Sequence, residues 1–464
     1  MWIADCGLRI ANSELEVCDL RFAELTDVPR RRVRPFWWPP SLILRQLGSA
    51  LYVGALAHWR ELPRWIFTYG FKCMRGAAGA RGQGCIGFPA HPVWEMTTAC
   101  NLHCIHCHTS GGKRSADELT TQEAKRMLDQ LAGVNEFRMV AFTGGEPLVR
   151  EDLFEVLAYS RALGFSNTLA TNAMLIDDAV ARHLRRCGVA ICAVSLDGFD
   201  AATHDYVRNQ AGAFEAALRG IRSLQRAGIP LHINITAMEY NLDQLEPLMA
   251  LVDELETAIV IMYQLVPVGR GRAIGDASLD LGANERLIRF MTQAQSATRA
   301  IMEPVAGPQY WPFLLQRAGI RGGLLLRLAE TVFHGCSAGR GFVYIKPNGE
   351  VWPCPFIEVS CGNVRQTPFA TIWATSSVFE DLRGREERLQ GRCGECEYRR
   401  LCGGCRGRSW ATTGNYLAED PSCFIHTSGE GDDRNEKSND HSSAPHSCVG
   451  THPPGDGAGG TPAA

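Results

Sequence analysis

Residues 97–110 read TTACNLHCIHCHTS, with Cys100, Cys104 and Cys107 inside eight positions. The spacing C-x3-C-x2-C would place all three on one face of a helix, at i, i+4 and i+7. The flanks oppose a helix. Asn101, His103, His106, His108, Thr109, Ser110, Gly111 and Gly112 offer little apolar face to bury. The stretch therefore reads as a loop that carries three thiols. A structural zinc takes four ligands, and a catalytic zinc prefers histidine or carboxylate among three. Three thiolates suit a 4Fe–4S cluster whose fourth iron stays open to another ligand.

The surroundings say where such a loop sits. Strand-like runs fall at VWEMTT (93–98), FRMVAFT (137–143), NTLATN (167–172), AICAVSL (190–196), LHINITAM (231–238) and AIVIMYQLV (258–266). Helix-like segments lie between them, over 120–134, 151–163, 177–187, 213–228 and 241–256. The first opens with a capping box, Thr120 and Glu123. Strands alternating with helices predict βαβ units and a parallel sheet. Six strands make an α/β fold of the partial, TIM-like (β/α)6 kind, with its chemistry at the C-terminal strand ends. The cysteine loop follows the first strand, at that end.

Outward from this core the chain changes character. Residues 1–90 are rich in Arg, Trp and Pro, most of all in RRRVRPFWWPPS (30–41). The stretch 41–72 reads as an amphipathic helix. It either caps the next domain or, with the basic run before it, lets residues 30–72 contact a membrane surface. The core occupies 91–280, and 281–335 reads as a helical linker. Cysteines return at high density over 336–426. Residues 427–464 lack aromatics and large aliphatics and cannot bury enough surface to order themselves.

The chain has 464 residues, 18 of them cysteine, and a net charge of −3. No basic field advertises nucleic acid. The N-terminus is broken by acids and arginines, unlike a signal peptide, and no apolar run reaches a membrane span. Cysteines as metal ligands in a reducing cytoplasm follow from this. Cys187 and Cys192 flank a strand and read as buried core.

C-x3-C-x2-C after a first strand resembles the signature of the radical S-adenosylmethionine (radical SAM) enzymes. Two further segments share the likeness. TGGEPL (143–148) follows the second strand, where that family carries GGEP, and SLDG (195–198) with HDYVR (204–208) follows the fourth. The resemblance implies that Cys100, Cys104 and Cys107 hold a 4Fe–4S cluster whose open iron is chelated by SAM. Reduction would then release a 5′-deoxyadenosyl radical. It also implies a SAM site at Gly144, Gly145, Glu146 and Pro147, with Glu146 and nearby carbonyls facing the ammonium. Ser195 and Arg208 would face the ribose and carboxylate. VPVGRGR (266–272) matches segments near the adenine and the substrate mouth.

The C-terminal cysteines resemble the SPASM extension of the same family, which carries auxiliary 4Fe–4S clusters. Gly349 and Cys354 match its G-x4-C, and Cys393, Cys396, Cys402 and Cys423 match its later ligands. Cys405 departs by one residue from the pattern. The resemblance implies one auxiliary cluster on Cys393, Cys396, Cys402 and Cys423. It implies part of a second on Cys336, Cys354 and Cys405, with Cys361 or no protein ligand as the fourth.

The likeness is strongest to the haem-biosynthesis branch, which includes d-type haem synthesis. It is carried by YQLVPVGRGR (263–272), GCSAG (335–339), CGNVRQTPFATIW (361–373) and the run 396–423. The implied reaction is oxidative decarboxylation of porphyrin propionates, served by a reducing donor such as flavodoxin or ferredoxin. Arg270, Arg272, Arg406 and Arg408 are candidate partners of the substrate carboxylates. Two alternatives stand beside it: a maturase that modifies a ribosomal peptide or protein, and a non-catalytic iron–sulfur carrier.

Overall fold

Thr120 opens the first helix through its side chain, which accepts from the Glu123 N–H, while the Glu123 carboxylate accepts from the Thr120 N–H. The expected capping box is present. In this computed structural model the described residues are 91–425, apart from 135, 136, 138, 299, 333 and 334. The expectations for 1–90 and 427–464 lie outside them, as do Cys6, Cys18, Cys73, Cys85 and Cys448.

The core follows β1 (His91–Glu95), α1 (Thr121–Ala132), β2 (Met139–Thr143), α2 (Leu153–Ala162), β3 (Ser166–Thr171), α3 (Asp178–Arg186) and β4 (Val189–Ser195). Then come α4 (Ala201–Arg208), α5 (Ala213–Arg226), β5 (Leu231–Ala237), α6 (Leu245–Glu254) and β6 (Ile259–Gln264). β1 to β6 pair in parallel in sequence order. Their apolar runs are covered on one face by helices whose buried residues recur at helical spacing, as Ala124, Met127, Leu128 and Leu131 do on α1. Cys187 and Cys192 are fully buried in this core, as expected. The partial barrel is the α/β fold anticipated for this chain. α4 was not anticipated, because THDYVR mixes polar and apolar residues without a clear stripe.

The sheet does not stop at six strands. After α7 (Leu281–Ala297), β7 (Ile301–Val305) pairs in parallel with β6. It lies inside the stretch expected to be a helical linker. Pro304 hid it: proline lacks the N–H of a ladder donor, and β7 tolerates it because it closes the sheet edge. α8 (Tyr310–Arg317) and α9 (Gly323–Val332) follow. β8 (Phe342–Ile345) then pairs in parallel with β1, and β9 (Glu350–Trp352) and β10 (Gly362–Asn363) extend that edge antiparallel. The boundaries expected at 280 and 335 thus do not divide the sheet. The chain ends in α10 (Phe369–Thr375), α11 (Ser377–Arg383), α12 (Gly391–Glu395) and α13 (Arg406–Thr413).

Buried polar contacts fix the cysteine-rich segment to the barrel. Glu95 on β1 is fully buried and accepts from the Tyr344 hydroxyl at 3.1 Å and Lys346 Nζ at 2.6 Å. Gln264, at the end of β6, accepts from Arg408 Nη1 at 2.7 Å and donates to Asn284 at 2.7 Å. Such groups are costly to leave unpaired, so they set how the strands and the extension meet. No described helix is long and apolar enough to cross a membrane.

Candidate functional site: two cysteine sets on one cavity

The loop after β1 is held by hydrogen bonds rather than by burial. The Glu118 carboxylate accepts from Thr97 Oγ1 (2.9 Å), the Thr98 N–H (2.7 Å) and Arg114 Nε (3.1 Å). The Gly145 N–H donates to Thr97 O and the Glu146 N–H to Ala99 O, both at 2.8 Å. This backbone-to-backbone approach explains the paired glycines. A Cβ on Gly145 would stand 2.2 Å from Ala99 O, and one on Gly144 2.7 Å from Thr97 O. Cys100, Cys104 and Cys107 all line a cavity at the C-terminal strand ends, with Gly144, Gly145, Ser195 and Arg208.

Glu146 and Pro147 do not line it. Glu146 is fully buried, and its carboxylate accepts from Thr171 Oγ1 (2.8 Å), the Asn172 N–H (2.8 Å) and the Leu148 N–H (3.2 Å). Burial pushes it up to about 7 despite these donors. The expectation that Glu146 faces a ligand ammonium is corrected here. Its side chain pins the end of β3, and the motif meets the cavity through its glycines.

Arg208 lines the cavity, with a partner that the sequence reading missed. Its Nη2 pairs with Asp197 at 2.5 Å, and its Nη1 points at Cys104 Sγ at 3.8 Å. Its Nε is buried without a hydrogen bond. Asp197 is fully buried and also faces His106 Nε2 at 3.6 Å. Burial raises Asp197, but the Arg208 guanidinium, helped by the Thr236 N–H, outweighs it and holds the carboxyl below its usual range. Burial lowers His106 to about 4, so its imidazole is neutral. The acid in SLDG was the available signal.

Arg270, expected to bind substrate carboxylate, instead grips the cysteine loop. Its Nε donates to Cys104 O at 3.0 Å, its Nη1 to Gly111 O at 2.6 Å and its backbone N–H to Cys107 O at 2.9 Å. The other three arginines are also engaged. Arg272 pairs with Glu358. Arg406, fully buried, donates to Tyr416 O and Ala418 O. Arg408 forms a buried pair with Asp420 at 2.8 Å. Arg270, Arg406 and Arg408, each with several protein acceptors, have few donors left for a substrate, whereas Arg272 is exposed and keeps most of its own.

The C-terminal cysteines fall into two sets. Cys402 has Cys423, Cys393 and Cys396 as its electrostatic neighbours. Cys354 feels Cys336 and Cys405, and these three line the same cavity as Cys100, Cys104 and Cys107. Cys361 stands aside, with Ser376, Glu350 and Arg383 as its neighbours, and does not line the cavity. The turn before Cys405 needs its glycines: Gly403 and Gly404 have φ of +65° and +63°.

The thiols are prepared for metal. Backbone N–H groups donate to Cys100 Sγ (3.3 Å, from Leu102), Cys393 (3.4 Å, Asp420), Cys396 (3.4 Å, Tyr398), Cys402 (3.4 Å, Gly404) and Cys405 (3.3 Å, Arg408). Such bonds stabilise thiolate sulfur and tune cluster potentials. Burial pushes Cys100 and Cys423 up to about 12, so these thiols lose their protons to an incoming metal rather than beforehand. Among the described residues no three His, Cys, Asp or Glu converge on one point as ligands of a single ion would. A tetrahedral zinc requires that convergence. A cubane cluster does not, because each thiolate binds a different iron. The donor sets therefore fit iron–sulfur clusters.

Comparison with known proteins agrees. A model of the radical SAM superfamily matches residues 94–252, and one of the SPASM iron–sulfur cluster-binding domain matches 336–397. The AdoMet-dependent heme synthase of Methanosarcina barkeri is 38% identical over 336 residues, which are 72% of this chain and 95% of that protein. The chain belongs to the radical SAM superfamily. Mycofactocin maturase MftC of Mycolicibacterium smegmatis is 32% identical to this radical SAM enzyme over 337 residues, 71% of this chain and 81% of that protein. In fold the enzyme is similar to SuiB of Streptococcus suis, solved bound to precursor peptide SuiA. The TM-score is 0.57 at 18% identity, over 79% of this chain and 81% of that one. A radical SAM oxidoreductase replaces the non-catalytic carrier as an explanation.

Proposed function

We propose that this radical SAM enzyme oxidatively decarboxylates propionate side chains of an iron porphyrin in haem biosynthesis. The observation that carries the reading is the single cavity shared by Cys100, Cys104 and Cys107 with Cys336, Cys354 and Cys405. Removing a hydrogen atom from a propionate β-carbon, with loss of carbon dioxide and of one electron, leaves a vinyl group. That balance needs a radical source and an electron acceptor beside one substrate. Clusters on the two cysteine sets, when bound, supply SAM-derived radical chemistry at the first and an acceptor at the second. The third set, Cys393, Cys396, Cys402 and Cys423, would hold a further cluster.

The chain's own residues do the rest. Arg208, fixed by Asp197, presents its uncommitted Nε beside Cys104, where it suits the carboxylate of SAM. Ser195 lines the same wall. Arg270 holds the cysteine loop by its carbonyls. Tyr263, Phe342, Tyr344 and Phe356 give the cavity an aromatic lining that suits a flat macrocycle. The similarity to AdoMet-dependent heme synthase over nearly its whole length supports the same substrate class. A low-potential flavodoxin or ferredoxin would deliver the reducing electron.

Anaerobic incubation with iron-coproporphyrin, SAM and a reductant tests this. Mass spectrometry should show stepwise loss of carboxyl groups together with 5′-deoxyadenosine. The peptide-maturase reading rests on the 32% identity to MftC. 5′-Deoxyadenosine formed on a precursor peptide, with the porphyrin unchanged, would establish it instead.

A further inference from the structure

His108 follows Cys107 directly and lines the shared cavity. Two aromatic rings hold its imidazole edge-on: Phe356, with centroids 5.7 Å apart and planes at 73°, and Tyr344, at 6.3 Å and 63°. The second support is itself fixed, since the Tyr344 hydroxyl donates to buried Glu95, which also binds Lys346. Among the described residues neither His108 nitrogen has a hydrogen-bond partner.

The neighbouring histidines are committed. His106 faces Asp197 at 3.6 Å, and His204 Nδ1 accepts from the Asp197 N–H at 3.2 Å. His204 does not line the cavity, and His106, which does, is turned to the buried Asp197 carboxylate through Nε2 while its Nδ1 is buried without a hydrogen bond. His108 is the one of the three that lines the cavity with no acidic partner. A ring oriented this firmly, with no polar partner, fits a ligand that the cavity receives from outside.

We propose that His108 is the axial ligand to the iron of the porphyrin substrate. The proposal rests on the porphyrin reading above and goes beyond it, to how the macrocycle is held. Imidazole is a common ligand of porphyrin iron. One axial bond anchors the centre of the ring and leaves it free to turn about the iron–nitrogen axis. That suits an enzyme that must present more than one propionate of a macrocycle to the same radical source. It also makes binding less dependent on arginines, in keeping with the engagement of Arg270, Arg406 and Arg408 within the protein.

The test titrates the reconstituted full-length enzyme with iron(III)-coproporphyrin and, separately, with metal-free coproporphyrin. Soret absorption gives affinity, and EPR of protein labelled with 15N-histidine reports nitrogen coupling to the iron. The wild type should bind both and show the coupling with the iron form. His108→Phe keeps a ring against Tyr344 and Phe356 but has no nitrogen. It should lose the coupling and bind the iron porphyrin roughly tenfold or more weakly. Its affinity for the metal-free ring should change by less than about twofold. Added imidazole should restore the axial signature in His108→Ala. Iron content and the EPR of the reduced clusters check that both variants remain loaded. A wild-type spectrum and affinity retained in both variants would overturn the proposal. If the wild type binds neither porphyrin, the substrate reading fails and the proposal with it.

Discussion

Asp197 is the anchor of Arg208. It is fully buried, and it is the charge that holds Arg208 against Cys104. Asp197→Asn breaks a buried ion pair and should cost about 3–5 kcal/mol. Denaturant midpoints measure that loss, and weakened SAM binding should accompany it. Glu146 gives a pH test. Burial raises its pKa from 4.5 to about 7. Between those values the unfolded chain has released the proton that the folded protein keeps, so this group's contribution to stability falls as pH rises from about 4.5 to about 7. Glu146→Gln should remove that slope. It should also cost roughly 1–3 kcal/mol, because an amide NH2 would face donors at Asn172 or Thr171. A variant-to-wild-type stability difference that does not change over this range would refute the titration.

At the level of elements, the loops after β1 and β2 act as one unit. Gly145→Ala places a Cβ 2.2 Å from Ala99 O, against backbone that cannot yield. The expected outcome is a folded barrel that cannot assemble the Cys100, Cys104 and Cys107 cluster. Loss of about four irons per chain, with the later cysteine sets still loaded, would show it. The cap of α1 is worth less. Thr120→Ala removes the side-chain half of the capping box and should cost about 1 kcal/mol by urea denaturation. It should leave iron content unchanged, because Thr120 does not line the cavity.

Across the whole molecule, one buried network joins the barrel to the cysteine-rich segment. Asp420 accepts from Arg408 and from the Cys405 N–H at 2.7 Å, its own N–H donates to Cys393, and Arg408 reaches Gln264 on β6. Two of the three cysteine sets thus hang on one ion pair. Arg408→Met strands the Asp420 charge in the interior and should deplete both C-terminal sets while sparing the first. Cys104→Ala should do the reverse, abolishing SAM cleavage while the auxiliary absorbance persists. Mössbauer spectra with iron counting distinguish the two patterns.

The sequence by itself determined the three-cysteine loop, the six parallel strands, the capping box and the superfamily. Each is written in local spacing, which sets periodicity, turn geometry and which thiols share a loop. Only the tertiary structure decided that β7 and β8 extend the sheet, that Glu146 turns inward and that Arg270, Arg406 and Arg408 each meet acceptors within the protein. It also brought Cys336, Cys354 and Cys405 to the same cavity as the first loop and left Cys361 aside. The reason is physical. A buried charge or polar group takes whichever partner the fold brings within reach, and that partner can lie more than 100 residues away, as Gln264 and Arg408 do.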